Sequence, residues 1–574
     1  MARVRHIFVE NFRTIKNFEW FPSAGINCLV GAGDSGKSTI LDAIDCCLGA
    51  RRSIPFNDAD FFEMNVTKPL KISVTLGELD DSLKTLDSYG LFVRGFNAKL
   101  QKIDDEPDHD LETVLTLELR VTSSLEPEWS LVSERAKAQD MTRDLSWADR
   151  LGLAPTRIGV AADHHLGWGR GSILNRISHE RADASTALAQ AARDARNSFG
   201  NKASEQLAAA LKIVEETAES LGITAKDVRA MLDVHSASLT GNTICLHDDA
   251  GVPLRRLGVG SARLLVAGLQ RKAFKQTTIL IADELEYGLE PHRIIRLLDS
   301  LGAKESKPPL QVFVATHSPV VLRELSGSQI AVLRPLKDKH EARVAGTSDD
   351  IQGTLRLYPE AFLAVSILVC EGASEVGIIR GIDQFRSEKE FKSLSARGVS
   401  LVDCSGGQPE KPFVRASAFA DLGYRTAILR DSDTEPDQKV EKAYKAQNGS
   451  VFEWRKGMCL EDELFRSLPK EGVGSLVDFA IKLHGDSLVS AHIGSVSNGT
   501  RDLKSIQKEI ATQSDIASAT RALLGRAART KNGSWFKNVR HMEHIGRRIV
   551  APQLEKSDKD FASLVNKVFT WMEK

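Results

Sequence analysis

The stretch at residues 26–48, INCLVGAGDSGKSTILDAIDCCL, decides the fold of the first half of this chain. An apolar run from Cys28 to Val30 precedes the pattern G-x-x-x-x-G-K-[ST], and a second apolar run, Ile40 to Leu48, follows it. A strand, a glycine-rich loop and a helix in this order hold phosphate, because backbone N–H groups converge at the start of the helix. The stretch therefore predicts a nucleotide-binding α/β domain.

The residues of this loop have separate expected roles. Gly31 and Gly36 let the backbone amides wrap around phosphate. Lys37 reaches the β- and γ-phosphates, and the Ser38 hydroxyl ligates Mg²⁺. The predicted nucleotide contacts from the loop are Gly31, Asp34, Ser35, Gly36, Lys37, Ser38 and Thr39.

The second half of the nucleotide site lies far downstream. ILIADE at residues 279–284 is an apolar strand that ends in Asp283, expected to hold Mg²⁺ through water, and Glu284, expected to polarise the attacking water. His317 ends a further strand, QVFVATHS, and is a candidate sensor of the γ-phosphate. Gly260 and Ser261 open a helix whose N-terminal amides suit the γ-phosphate of a nucleotide held by a partner subunit.

In this order the motifs resemble the SMC/RecF-like branch of the ABC-type ATPases. The resemblance implies ATP as the ligand and a homodimer or higher homo-oligomer that sandwiches ATP between the loop and the signature segment around Gly260. Two departures concern hydrolysis. The segment NDADFF offers Asp58 or Asp60 where a Q-loop glutamine is usual, and Glu290 stands where the D-loop normally has aspartate.

Carboxylates follow successive strand-like runs in the last third of the chain. The C-terminal ends of parallel strands meet at one rim of a sheet, so these side chains should converge there. Hard oxygen ligands suit Mg²⁺, Mn²⁺ or Ca²⁺, and two such ions can activate water for phosphodiester cleavage. The carboxylates are Glu371, Glu375, Asp403, Asp431, Asp433, Glu461, Asp462 and Glu463.

This order, with glutamate first and D-x-D later, resembles the Toprim domain. An ABC-type ATPase joined to Toprim resembles the OLD (overcoming lysogenisation defect) nuclease family across nearly the full chain. Its class 2 members are the most similar, and they include the nuclease subunit of the Gabija anti-phage system, which acts with a UvrD-like helicase. The resemblance implies a metal-dependent DNA endonuclease in anti-phage defence.

The resemblance also implies roles for single residues. Glu371 and Glu375 would hold metal or act as general base, and Asp431 and Asp433 would bind the metals.

Further residues complete the implied site. Either Glu461 or Glu463 would supply the remaining carboxylate. Lys537, in GSWFK at residues 533–537, would stabilise the phosphate in the transition state, with Lys531 as the reserve candidate.

We therefore predict an α/β protein: an ABC-type ATPase domain with a helical dimerisation insert, followed by a Toprim α/β domain. The predicted parts are residues 1–160 and 246–348 for the ATPase domain, 161–245 for the insert and 349–574 for the Toprim domain. The insert is predicted to be helical because residues 182–222 are rich in Ala, Glu, Lys and Leu.

Composition narrows the class of protein. Lys and Arg number 76 against 77 Asp and Glu, but residues 521–548 carry eight basic side chains and one acid, which favours a local phosphate-binding surface for DNA. The seven cysteines lack C-x-x-C spacing, and no apolar leader or membrane-length run is visible, which predicts a cytoplasmic protein without zinc or membrane contact.

One alternative function stays open. A RecF-like, ATP-dependent DNA-binding clamp could use the Toprim fold as a non-catalytic scaffold. A topoisomerase is disfavoured, because only five tyrosines are present and the chain leaves no room for a DNA-gate domain.

Overall fold

A computed structural model describes residues 2–84, 89–159, 162–168, 172–174, 184–220, 228, 230, 244–272, 278–530 and 533–573. The chain divides into two compact units. The first comprises Met1–Leu29, Gly36–Leu325 and Pro335–Glu341, and the second comprises Val30–Ser35, Ser326–Arg334 and Ala342–Lys574. The predicted domain bounds stay a prediction, and much of the predicted insert at 161–245 lies outside the described residues.

Two runs of neighbouring strands build the first unit. The antiparallel run has the order β6-β5-β7-β4-β1-β2, and the parallel run has the order β3-β11-β10-β9. The strands are β1 (Arg3–Phe12), β2 (Ile15–Trp20), β3 (Ile26–Val30), β4 (Leu70–Gly77), β5 (Val93–Asn97), β6 (Lys102–Asp104), β7 (Glu112–Val121), β8 (Pro127–Leu131), β9 (Thr156–Ile158), β10 (Ile279–Ala282) and β11 (Gln311–Ala315). Two further strands follow near the division, β12 (Ile330–Pro335) and β13 (His340–Val344).

The alternating apolar residues of β4 and β7 face each other across the antiparallel run. Ile72 pairs with Leu119 and Val74 with Leu117, as alternation on one buried face predicts. The helices of this unit are α1 (Lys37–Leu48), α2 (Asp81–Lys84), α3 (Glu134–Ala138), α4 (Trp147–Leu153), α5 (Ala184–Gln206), α6 (Ala208–Ser220), α7 (Val259–Lys272), α8 (Pro291–Ser300) and α9 (Pro319–Glu324). The helical structure that the composition of residues 182–222 predicts is thereby confirmed for the described residues.

The second unit contains a four-stranded parallel sheet in the order β15-β14-β16-β17. Its strands are β14 (Ser366–Cys370), β15 (Val399–Asp403), β16 (Arg425–Arg430) and β17 (Ser450–Glu453). Its helices are α10 (Asp349–Leu357), α11 (Ala373–Glu388), α12 (Lys411–Asp421), α13 (Gln438–Ala446), α14 (Leu460–Ser467), α15 (Lys470–His484), α16 (Asp486–Val496), α17 (Leu503–Thr512), α18 (Ser518–Ala528), α19 (Val539–Ile545) and α20 (Lys559–Glu573).

The core of the second unit lies between this sheet and the C-terminal helices. Every residue of β14 is buried, which suits a central parallel strand covered on both faces. Phe465, Trp535 and Phe536 are fully buried in the same core. Both units are thus α/β as predicted, and all seven cysteines are free thiols.

Candidate functional site

The loop after β3 adopts the backbone that its glycines predict. Gly31 has φ +153°, and a Cβ at this position would lie 2.8 Å from the Leu333 carbonyl oxygen. Gly36 has φ +90° and is the N-cap of α1, so the helix begins at Lys37. Side chains rarely adopt this left-handed backbone, so glycine is needed at both ends of the loop. Asp34, also at positive φ (57°), lies within the turn.

The phosphate-binding loop and the acidic motif after β10 meet, although the two residues in contact are 245 positions apart in sequence. The Ser38 hydroxyl, in the first turn of α1, donates a hydrogen bond to Asp283 Oδ1 at 3.2 Å. Asp283 directly follows β10, which lies two strands from β3 in the parallel run. The hydroxyl and the carboxylate are the donor pair that holds Mg²⁺ in phosphate-binding-loop enzymes, so these residues fit the ion. Ser35 and Lys37 are buried, and Thr39 follows in the first turn.

A buried arginine that the sequence analysis missed holds the acidic turn in place. Arg263, in α7, is fully buried, and its guanidinium donates to the carbonyl oxygens of Asp283 at 3.2 Å, Glu284 at 3.0 Å and Tyr287 at 2.8 Å. Glu284 has φ 45° and its side chain is exposed. The three bonds fix the strained turn. The Glu284 carboxylate stays exposed, where a reactant can meet it.

The predicted signature residues pack against the segment that follows Glu284. A Cβ on Gly260 would lie 2.1 Å from the Gly288 carbonyl oxygen, so only glycine allows this approach. The Ser261 hydroxyl accepts a hydrogen bond from Arg293 at 2.9 Å, and Arg293 forms an ion pair with Glu290 at 3.1 Å. Glu290, which replaces the usual D-loop aspartate, therefore orients the arginine that contacts the signature serine.

His317 is placed by a carboxylate that the sequence analysis did not single out. Glu286 accepts the backbone N–H of His317 at 2.8 Å and the Thr316 hydroxyl at 2.6 Å. The His317 side chain is exposed. Of the two residues considered in place of a Q-loop glutamine, Asp60 pairs with Arg13 at 3.0 Å, whereas Asp58 is exposed. Of these two aspartates, Asp58 is therefore the one whose carboxylate is not paired with Arg13.

In the second unit, the predicted carboxylates gather at the C-terminal ends of β14 and β16. The backbone N–H of Asp431 donates to Glu371 Oε2 at 2.9 Å, and the Glu371 N–H donates to the Leu429 carbonyl at 3.0 Å. Asp431 Oδ1 in turn accepts the Leu460 N–H at 3.0 Å, at the start of α14. One hydrogen-bonded chain thus joins the ends of two neighbouring strands to the helix that carries Glu461.

Burial, together with repulsion among these carboxylates, raises the pKa values of three of them. Burial, together with the charges of Glu371, Glu461 and Asp433, raises the pKa of Asp431 to about 8. Burial and the charges of Asp431, Glu461 and Glu371 raise the pKa of Glu375 well above its usual range. Burial also raises the pKa of Glu371, with Asp433 adding to the rise. A cation bound near these five carboxylates would be favourable, because it would offset their mutual repulsion.

The structure separates the two candidates in α14. Glu463 is buried and already engaged, because it accepts the Ser467 hydroxyl at 2.6 Å and the Arg455 N–H at 3.1 Å and lies 3.4 Å from the Arg455 guanidinium. Glu461 has none of these contacts, and its charge raises the pKa values of both Asp431 and Glu375. Glu463 is therefore a structural anchor of the loop before α14, and Glu461 is the one of the two carboxylates without these contacts.

These acids are not yet arranged as a coordination sphere. Among the residues that the structure describes, no group of three or more His, Cys, Asp or Glu side chains could hold a metal ion as it stands. Backbone N–H groups occupy the oxygens instead: Glu375 Oε2 accepts the Gly372 N–H at 3.0 Å, in addition to the contacts of Glu371 and Asp431. Carboxylate oxygens are the ligands that hard divalent cations prefer, so the donor set fits such an ion in chemistry.

Lys537 is held near these acids by a rigid loop. Trp535 and Phe536 are fully buried, and the Trp535 indole N–H donates to His492 Nδ1 at 3.1 Å. His484 Nε2 donates to the Trp535 carbonyl oxygen at 2.9 Å. Lys537 itself is exposed, and its charge acts to lower the pKa of Glu371. The reserve candidate, Lys531, lies outside the described residues.

The basic segment at residues 521–548 does not act as one surface. Arg521 donates to the Leu468 carbonyl at 2.6 Å and pairs with Asp515, so it serves the packing of α18. Arg529 lies 3.4 Å from Asp462, and Arg547 pairs with Glu388. Of the seven basic side chains that the structure describes here, the four outside these contacts are Arg526, Lys537, Arg540 and Arg548, all of them exposed. At least three of the eight basic residues are therefore engaged within the protein.

A family model described as "AAA domain, putative AbiEii toxin, Type IV TA system" matches residues 26–323. The match covers more than half of the chain and includes both the phosphate-binding loop and Asp283. The chain belongs to this family. Its first unit is accordingly an ATPase-type, nucleotide-binding domain.

Curated proteins support the resemblance to the OLD family. The chain is 23% identical over 483 residues to the OLD nuclease of Thermus scotoductus, which covers 76% of this chain and 84% of that protein. It is also 45% identical over 53 residues to the DNA replication and repair protein RecF of Nitrosococcus oceani. This second match covers 9% of the chain and only 14% of RecF. The similarity to the OLD family is thereby confirmed, whereas class 2 membership and likeness to Gabija stay predictions.

Some solved structures are similar to part of this chain. The SMC head domain from Thermotoga maritima is 13% identical, covers 60% of this chain and 98% of its own, and has a TM-score of 0.28. A RecF structure from the RecFOR pathway is 12% identical, covers 59% and 98%, and has a TM-score of 0.31. Within the described residues, no helix is both long and apolar enough to cross a membrane.

Proposed function

We propose that this protein is an ATP-binding, divalent-metal-dependent DNA endonuclease. The observation that carries the proposal is the group of mutually repelling carboxylates at the ends of β14 and β16, with Glu371, Asp431 and Glu461 at its centre. The similarity to the OLD nuclease supports the reaction class, and membership of the AAA-domain family supports the nucleotide. We also propose that the second unit is a Toprim domain.

The residues at this rim would hold the metal in a defined way. Glu371, Asp431 and Glu461 would be shared ligands, with Asp433 and Glu375 completing the sites. Mg²⁺ or Mn²⁺ bound there would supply an activated water and charge stabilisation at the leaving 3′-oxygen. Asp433 is exposed at the rim and can reach a substrate, whereas Glu375 is buried behind it.

Two groups of the chain itself would act on the substrate. Glu371, where its carboxylate is not taken up by metal, would accept the proton of the attacking water. The exposed Lys537 ammonium, two residues after the buried Trp535, would bind a phosphate oxygen as negative charge develops. The exposed Arg526, Arg540 and Arg548 would contact the DNA backbone.

Cleavage of supercoiled plasmid tests the proposal. Wild-type protein with Mg²⁺ or Mn²⁺ should convert the plasmid to nicked or linear forms, and EDTA should stop the reaction. Asp431→Ala/Asp433→Ala should leave the plasmid supercoiled. A matched control is Asp437→Ala, which changes a nearby exposed acid that caps α13 and lies outside the proposed site. If wild type and the double variant act alike, the nuclease proposal fails.

Nucleotide binding has its own test. Lys37→Ala should abolish ATP binding measured by calorimetry, because the ammonium no longer meets the β- and γ-phosphates. Lys339→Ala, an exposed lysine of the same unit, is the matched control. Unchanged ATP binding in Lys37→Ala would contradict the assignment of the loop. Turnover by Glu284→Gln and His317→Ala then tests their proposed roles in hydrolysis.

The second candidate is a RecF-like DNA clamp with a non-catalytic Toprim scaffold. The short match to RecF favours it over other DNA-binding classes. A clamp should bind DNA in an ATP-dependent manner and leave plasmid intact with every divalent metal. Gel shift and cleavage measured on the same samples separate the two functions.

The cellular role follows from the same resemblance. We propose a homodimer or higher homo-oligomer that acts in the cytoplasm in anti-phage defence, with a UvrD-like helicase as a possible partner type. Plaque counts on cells that carry wild type, Lys37→Ala or Asp431→Ala/Asp433→Ala test the role. Equal plaque counts with wild type and both variants, with and without the helicase, would contradict it.

A further inference from the structure

His340 lies against the glycine that starts α1. It opens β13, and its Nε2 and Cδ2 atoms both lie 3.6 Å from the position that a Cβ on Gly36 would take. The other group there is the Thr14 hydroxyl, at 3.4 Å. The phosphate-binding loop therefore has a hydroxyl and an imidazole beside its last glycine, and neither belongs to the loop motif.

The turn that carries Thr14 is rigidly attached to α1. Arg13 forms ion pairs with Asp60 at 3.0 Å and with Asp42, within α1, at 2.5 Å. The Thr14 hydroxyl lies 3.3 Å from the hydroxyl of Thr39, the last residue of the loop motif. Thr14 thus keeps a fixed position beside the last residue of the loop motif.

The imidazole of His340 has unused hydrogen-bonding capacity. The side chain is 8% exposed, and within the described part of the chain its buried Nδ1 atom has no hydrogen-bond partner. Burial lowers the pKa of His340, so the neutral ring offers one donor and one acceptor. The ring edge that faces Gly36 is the Nε2–Cδ2 edge, so Nε2 is the atom that a ligand beside the loop would meet.

We propose that His340 and Thr14 bind the nucleoside half of the nucleotide whose phosphates the loop holds. Backbone amides and the Lys37 ammonium already serve the phosphates, and a further phosphate contact would favour a cation. A neutral imidazole and a hydroxyl suit instead the uncharged hydroxyls of a ribose or the ring edge of a base. This proposal rests on nucleotide binding by the first unit and not on the nuclease activity.

Comparison of ATP with inorganic tripolyphosphate tests the proposal on the full-length protein. His340→Ala should weaken ATP binding by about five- to tenfold, the effect of one neutral hydrogen bond. Tripolyphosphate binding should stay unchanged, because that ligand has no nucleoside. Thr14→Val should show the same pattern, and His340→Asn, which keeps a donor and an acceptor, should recover part of the ATP affinity.

The controls separate this role from a structural one. His109→Ala changes an exposed histidine in a turn of the same unit and should leave both affinities unchanged. If His340→Ala and Thr14→Val weaken ATP and tripolyphosphate equally, the residues support the loop and the proposal is wrong. It is also wrong if neither affinity changes. Lys37→Ala should lose both ligands, which distinguishes failure of the proposal from failure of nucleotide binding itself.

Discussion

The nucleotide site around Lys37 and Asp283 and the acidic rim around Glu371 and Asp431 differ in what fixes their geometry. The phosphate-binding loop is fixed by backbone geometry at Gly31 and Gly36 and by the bond from Ser38 to Asp283. The acidic rim consists of side chains that repel one another, with the pKa of Asp431 raised to about 8. A site built from backbone is complete before its ligand arrives, whereas a site built from like charges becomes favourable only with a cation.

The two sites also differ in the buried polar groups that support them. Arg263 uses its buried charge to orient three carbonyl oxygens around the nucleotide site. Glu463 and Arg455 hold the loop before α14, beside the rim. The hydrogen bonds that the structure describes at the central acids Glu371 and Asp431 come from backbone N–H groups.

The largest effect should separate the two glutamates of α14. Glu461→Gln should lower the rate of plasmid cleavage by about a hundredfold or more, because it removes a metal ligand. Glu463→Gln should lower the free energy of unfolding by about 1–3 kcal/mol, because it weakens the contacts to Ser467 and Arg455, and should retain most of the cleavage rate. Cleavage kinetics and urea unfolding measure the two effects, and a reversed pattern would mean that the ligand is Glu463.

Removal of the buried arginine should disturb the first site and leave the second intact. Arg263→Met should lower the free energy of unfolding by about 3 kcal/mol, because three buried carbonyl oxygens lose a charged donor. ATP turnover should also fall, since the turn with Asp283 and Glu284 loses its support. Arg296→Met, on α8 with an exposed side chain, is the control. Normal turnover and stability in Arg263→Met would refute the positioning role.

Divalent metal should stabilise the wild type more than a protein without the central acid. At a concentration about a hundredfold above its dissociation constant, Mg²⁺ should add about 2–3 kcal/mol to the free energy of unfolding. The gain should disappear in Asp431→Asn and persist in Lys37→Ala without nucleotide. Thermal melting with Mg²⁺ and with EDTA gives the comparison, and an equal gain in all three proteins would place the metal elsewhere.

The smallest effect concerns pH in metal-free protein. The pKa of Asp431 is about 8 in the folded protein and about 3.9 in an unfolded chain, so the folded state binds the extra proton between these values. Stability should therefore fall as the pH rises from about 4 to about 8. Asp431→Asn should flatten this dependence and raise stability near pH 8 by about 1 kcal/mol. A pH dependence identical to that of wild type would contradict the repulsion among the rim carboxylates.

Much of the fold was predictable from short stretches of sequence. The loop at residues 31–39 needs glycine at fixed positions, and the alternation in β4 and β7 specifies one buried face, so both could be read locally. The convergence of Glu371 and Asp431 followed from the rule that parallel strands end at one rim. The roles of Lys537 and Glu375 were implied by the family resemblance and stay predictions.

Other features depend on contacts between distant segments. Arg263, Glu286 and His340 stand in unremarkable sequence, and nothing local distinguishes them from ordinary helix or strand residues. Their roles arise from three separate contacts: α7 meets the turn after β10, that turn meets the residues after β11, and the start of β13 lies beside Gly36. For the basic segment at residues 521–548, the sequence instead suggested more free positive charge than the structure has. Arg521 and Arg547 are used in packing and ion pairs within the second unit.

The sequence by itself determined which residues can serve phosphate and metal, because backbone freedom at glycine and the chemistry of lysine, serine and carboxylates are local properties. Only the tertiary structure decided which members of each candidate set remain available. Glu463 is buried and hydrogen-bonded to Ser467, whereas Glu461 interacts with the neighbouring acids through its charge. The Nδ1 atom of His340 is buried and has no partner among the described residues. Such assignments depend on desolvation and on neighbours far along the chain, which spacing cannot reveal.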